Sequence, residues 1–83
     1  MGMDISVQFY SYFKELTGCP RTTESLPPGS RIADLVTRLH GRFPKLAPMR
    51  NSTLIAVGVD YQGQDYELKD GDEVSLFPPV QGG

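Results

Sequence analysis

A chain of 83 residues makes one small domain, able to bury roughly 60–65% of its unfolded surface, too little to enclose a catalytic cleft of its own. Its 39% hydrophobic and 22% charged residues suit a folded globular domain and exclude a disordered one. The net charge of −2, with 8 Lys and Arg scattered among 10 Asp and Glu, excludes the basic footprint of a nucleic-acid binder.

No apolar stretch approaches the roughly 20 residues that span a bilayer, and no signal peptide precedes the first predicted strand. The single cysteine has no partner for an internal disulfide. The expected location is cytoplasmic, without membrane or nucleic-acid contact. Gly2 and Ser6 fit the spacing of an N-myristoylation signal. Ser6, however, belongs to an alternating strand, which a lipid arm does not need.

Ile5-Ser6-Val7-Gln8-Phe9 alternates apolar with polar, the period of a half-buried strand. Tyr10, Tyr12 and Phe13 extend it with residues that favour sheets. Lys14 to Pro20 reads as a connection. Arg21 to Leu26 reads as a second strand near a sheet edge, closing a hairpin. Pro27-Pro28-Gly29 ends that hairpin, and Ser30 is the expected helix N-cap. Ile32, Leu35, Val36, Leu39 and Phe43 then form the stripe of an amphipathic helix, which Pro44 stops. Asp34 near its start and Arg38, His40 and Arg42 near its end suit the helix dipole.

Lys45 to Asn51 is expected to be a loop. Leu54 to Val59 is a near-continuous apolar run, hence a buried strand. Gly63 marks a turn, Tyr66-Glu67-Leu68 a short strand, and Asp70-Gly71-Asp72 a tight turn. Glu73 to Phe77 is the last strand. The order ββαββ(β) predicts an α+β fold, a mixed sheet with one helix packed on one face. The long crossover through the helix lets the last strand lie parallel beside the first, which is the β-grasp arrangement. Residues 1–79 are expected to form this domain and residues 80–83 a flexible Gly-Gly tail.

Internal chemistry is sparse. Cys19 lies in a loop beside Pro20, away from any His or Asp in sequence that could partner it as a nucleophile. One His and one Cys are too few soft ligands for zinc, so no metal site is expected. Asp70, Asp72 and Glu73 lack the spacing of a calcium loop. No acid–base pair or triad can be assembled. What is left is the end of the sequence, Pro78-Pro79-Val80-Gln81-Gly82-Gly83. The prolines resist helix and hold the chain extended. Glycines lacking Cβ make a thin tip ending in a carboxylate.

The run from Asp70 to Gly83 resembles the C-terminal signature of the small subunit of molybdopterin synthase, one of the ubiquitin-like sulfur carriers. Lys14-Glu15-Leu16-Thr17-Gly18 is similar to the family's basic-Glu-Leu-x-Gly segment, and Ala56-Val57 to its middle strand. Two positions depart from the pattern. Gly58 stands where the family often has Asn, and Tyr10-Ser11 where it often has Phe-Ala.

The resemblance implies a ubiquitin-like β-grasp fold and a function that is not catalytic alone. An E1-like activating enzyme, using ATP and magnesium, adenylates the Gly83 carboxylate. A sulfur donor protein then converts it to a thiocarboxylate. The large subunit of molybdopterin synthase, expected in a heterotetramer, uses that sulfur on cyclic pyranopterin monophosphate in molybdenum cofactor biosynthesis. In this scheme Gly83 is the reacting residue, and Gly82 and Gln81 give the tail access. Phe77, Pro78, Pro79 and Val80 bind partners, and the chain itself holds no cofactor. The alternatives are a ubiquitin-like protein modifier, or a carrier for tRNA thiolation, thiazole or cysteine synthesis.

Overall fold

The alternation in the first segment forms strand β1 (Met3–Phe9), with Met3, Ile5, Val7 and Phe9 buried on one face. This is seen in a computed structural model, which describes residues 2–78. The chain does not stay extended through Tyr12 and Phe13. Ser11 adopts φ 59°, a left-handed conformation that turns the backbone out of the sheet. Phe13–Thr17 then form a short helix, α1. It ends at Gly18 (φ 77°), whose N–H donates to the Lys14 carbonyl at 2.9 Å. Phe13 is fully buried. The aromatic run therefore fills the core from one turn of helix and not from a longer strand.

Strand β2 (Arg21–Leu26) pairs antiparallel with β1, from Met3 opposite Leu26 to Gln8 opposite Arg21. The following helix, α2, covers Ile32–Arg42 and buries Ile32, Leu35, Val36 and Leu39. Its N-cap is Arg31, one residue beyond the expected Ser30. The Arg31 N–H donates to the Asp34 carboxylate at 2.9 Å. Ser30 is taken up by the preceding turn: its hydroxyl donates to the Pro27 carbonyl at 2.7 Å, and its carbonyl accepts the Leu68 N–H at 2.9 Å. Phe43 sits just past the helix, its ring edge-on to Phe9 at 5.6 Å.

Pro44–Ser52, expected as a loop, winds as a 3-10 segment that places Leu46 in the core. Strand β3 (Leu54–Val57) is shorter than the apolar run suggested. Gly58 (φ 62°) turns the chain there, Val59 is 97% exposed, and Asp60–Tyr61 return as β4. Near Tyr66 to Leu68 there is only an isolated bridge between Arg31 and Glu67. Gly71 (φ 87°) makes the tight turn into β5 (Glu73–Phe77).

The sheet order is β2-β1-β5-β3-β4. β5 runs parallel to β1, with Val7 opposite Val74 and Phe9 opposite Leu76, and antiparallel to β3, with Leu54 opposite Phe77. This is the β-grasp arrangement that the element order implies. α2 covers one face, where Ile5, Val7, Phe9, Val74, Leu76 and Ile55 join its apolar stripe in one core. Burying each such side chain contributes about 1.5–3 kcal/mol.

One charged residue also lies on the covered face. Glu24 of β2 is 3% exposed and accepts from Arg38 Nε at 2.9 Å and from Arg42 Nη1. A buried carboxylate requires such partners. The two arginines, expected only to complement the helix dipole, thus also tie α2 to the edge strand.

Candidate functional site: an aromatic platform at the base of the tail

Side chains alternate across a strand, so the residues flanking the buried Leu76 and Val74 face away from α2. On this uncovered face β5 presents Phe77, β3 presents Leu54, and β4 presents Tyr61. Tyr10 joins them from β1's continuation, held by its N–H to the Leu76 carbonyl at 3.2 Å.

Tyr10 and Phe77 stack with ring centroids 4.6 Å apart and planes 14° from parallel. Tyr61 approaches Phe77 edge-on at 6.3 Å and 65°. Both are favoured aromatic geometries, each adding about 0.5–1.5 kcal/mol. Tyr10 is 39%, Leu54 40% and Tyr61 69% exposed. Apolar rings gathered on a polar surface, rather than scattered singly, mark a contact surface. The cluster lies where β5 ends and Pro78 begins.

Of the residues expected to bind partners, Phe77 is at the centre of this platform and Pro78 follows it, both half-buried. Pro79, Val80, Gln81, Gly82 and Gly83, together with the boundary placed after residue 79, lie outside the described residues. Sequence reasoning missed Tyr10, Tyr61 and Leu54 as site residues. For Tyr10 the signal was present: it continues the period of β1 on the face opposite Phe9.

Other polar groups have local partners. The Asp72 carboxylate accepts the Lys69 N–H within the turn, and the Asp70 carboxylate accepts the N–H of Asp4 in β1, both at 2.8 Å. Cys19 is half-buried with Sγ 3.8 Å from the Thr17 hydroxyl. Among the described residues no group of three or more His, Cys, Asp or Glu side chains is placed to hold a metal. No described helix is long and apolar enough to cross a membrane.

A family model described as the ThiS family matches residues 7–83. The chain belongs to the ThiS family. Among the curated relatives of this ThiS-family chain is the molybdopterin synthase sulfur carrier subunit of Chlamydomonas reinhardtii. It is 34% identical, with 98% of this chain and 100% of that protein aligned.

Among solved structures, the putative molybdopterin converting factor, subunit 1, from Pyrococcus furiosus is 31% identical with a TM-score of 0.83. The match covers 94% of this chain and 99% of that one. A chain in the complex of subunits 1 and 2 of the molybdopterin-converting factor from Helicobacter pylori is 27% identical with a TM-score of 0.72. It covers 98% of this chain and 100% of its own. The ubiquitin of Caldiarchaeum subterraneum, 17% identical with a TM-score of 0.70 over 100% of both chains, shares the fold. The ThiS-family chain thus has the ubiquitin-like β-grasp fold.

Proposed function

We propose that this chain is the sulfur carrier subunit of a molybdopterin synthase, delivering sulfur as a thiocarboxylate on Gly83. The observation that carries this reading is the likeness, over nearly the whole chain, to curated sulfur carrier subunits of that enzyme. The aromatic platform supports it, because a carrier needs a docking surface beside the group it delivers.

The chemistry follows from the carboxylate. An ionised carboxylate resists nucleophilic attack, whereas an acyl-adenylate has a good leaving group. The Gly83 carboxylate attacks the α-phosphorus of ATP held by an activating enzyme, and pyrophosphate leaves. The terminal sulfur of a donor-protein persulfide then attacks the acyl carbon and AMP leaves. A second donor thiol attacks the sulfur still bound to the donor, the S–S bond breaks, and the thiocarboxylate departs while the donor is left as a disulfide. ATP and its magnesium belong to the activating enzyme; this chain contributes the carboxylate and its approach. Gly82 and Gln81 provide the slim segment behind it, with Pro79 and Val80 between that segment and the platform.

The partner for delivery is a large synthase subunit, as in the Helicobacter pylori complex of subunits 1 and 2. Phe77 with Tyr10, Tyr61 and Leu54 is the surface it covers. Rings of this kind bury 150–250 Å² each and dominate interface energetics. The whole cycle is assigned to the cytoplasm.

Reconstitution tests the reading. Sulfur-loaded chain, mixed with the large subunit and cyclic pyranopterin monophosphate, is expected to yield molybdopterin, with one loaded chain consumed per sulfur delivered. A protein modifier or a carrier for another pathway uses the same carboxylate. Those readings replace this one if the chain stays loaded in the assay but forms isopeptides or thiolates another acceptor.

A further inference from the structure

The Phe77 ring is held by Tyr10, and Tyr10 is held in turn. Gln8 and Tyr10 project from the same face of the sheet, two residues apart. The Tyr10 hydroxyl donates to Gln8 Oε1 at 2.7 Å. On its other side Gln8 Nε2 lies 3.5 Å from Glu73 Oε1 of β5, so the amide is oriented from both ends. We propose that Gln8 and Tyr10 form a positioning pair that fixes the Phe77 ring, and with it the platform at the base of the tail, before a partner arrives.

The physical argument is one of preorganisation. A tyrosine that is 39% exposed otherwise samples several rotamers, and docking must then order it at an entropic cost. A hydrogen bond at the far end of the ring holds it at both ends, giving the near-parallel stack at 4.6 Å. Tyr10→Phe therefore removes the link and keeps the ring. Gln8→Met removes the acceptor and keeps the length of the side chain.

This inference rests on the proposed docking role of the platform, and a double-mutant cycle tests it. Y10F, Q8M and the double variant are compared with the original chain by calorimetric titration against the large synthase subunit. The ring-proton shifts of Phe77 and the melting temperature are recorded alongside. Each single variant is expected to weaken binding about three- to tenfold, the effect of one hydrogen bond, and the double variant no more than either single. The Phe77 ring-proton shifts are expected to move from those of the original chain in all three, with melting within about 2 °C of the original.

Independent, additive losses overturn the pairing, as does Y10F binding as tightly as the original chain. If the original chain does not bind the large subunit at all, the functional reading has failed. The ring shifts then decide the pair alone: unchanged Phe77 protons in Y10F refute it.

Discussion

Deleting Gly83 is expected to abolish sulfur loading while leaving the fold intact. The variant still ends in a glycine and a carboxylate, so the reacting group is preserved and only its reach is lost. One residue of extended chain spans about 3.3–3.6 Å. Misplacement by about 1 Å can cost about a hundredfold in rate, so loss of a whole residue is expected to reduce adenylation more than a hundredfold. The core cluster among the described residues runs from Met3 to Leu76. Removing residue 83 takes nothing from it, and the melting temperature is expected to hold within about 2 °C. Loading at the original rate would show that the length of the tail does not set the reaction. A large fall in melting temperature would show that the terminus is part of the fold.

The second large effect is the opposite in kind. Phe13→Ala removes a fully buried ring that packs edge-on to Tyr12 at 5.4 Å and 86°. Such truncations cost about 3–5 kcal/mol. A domain of this size holds only about 4–12 kcal/mol in total, so much of its stability is at stake. Thermal unfolding is expected to fall by at least about 12 °C, whereas loading per folded molecule is unchanged because Phe13 faces the core. A loss below about 1 kcal/mol would mean that α1 does not anchor this end of the sheet.

Phe13 also shows where the sequence could not be read. Its aromatic neighbours favour strands by propensity, but the decisive event is the left-handed turn at Ser11, a conformation serine seldom adopts and no local signal announces. The split of Leu54 to Val59 has the same character. Gly58 turns the chain, exposing Val59 and placing Tyr61 in β4, whereas hydrophobicity alone favours one long strand. Ser30 is a good cap by type, but the Pro27 turn claims its hydroxyl. Where periodicity was strong, the reading matched: the alternation of Ile5 to Phe9, the stripe from Ile32 to Leu39, and β5 parallel beside β1.

The site divides along the same line. Phe77 and Pro78 entered the candidate site through the resemblance carried by the run leading to the terminus, and the fold adds the aromatic neighbours around Phe77. The face that Tyr10 occupies could be read from the period of β1, but its meeting with Phe77, like that of Tyr61, could not, because both lie far from that run in sequence. They reach Phe77 only through the sheet order, which sets β1 on one side of β5 and places β4 beyond β3. Contacts set by long-range pairing leave little trace in any one segment. Glu24 is another case: its burial against Arg38 and Arg42 depends on how α2 lies across β2.

The central claim is that the Gly83 carboxylate carries the sulfur. Intact mass spectrometry, after incubation with the activating enzyme, ATP, magnesium and a sulfur donor, tests it most directly. The account predicts a mass gain equal to replacing one oxygen by sulfur, confined on fragmentation to ions that contain Gly83. An unchanged mass, or sulfur found instead on Cys19, would contradict it.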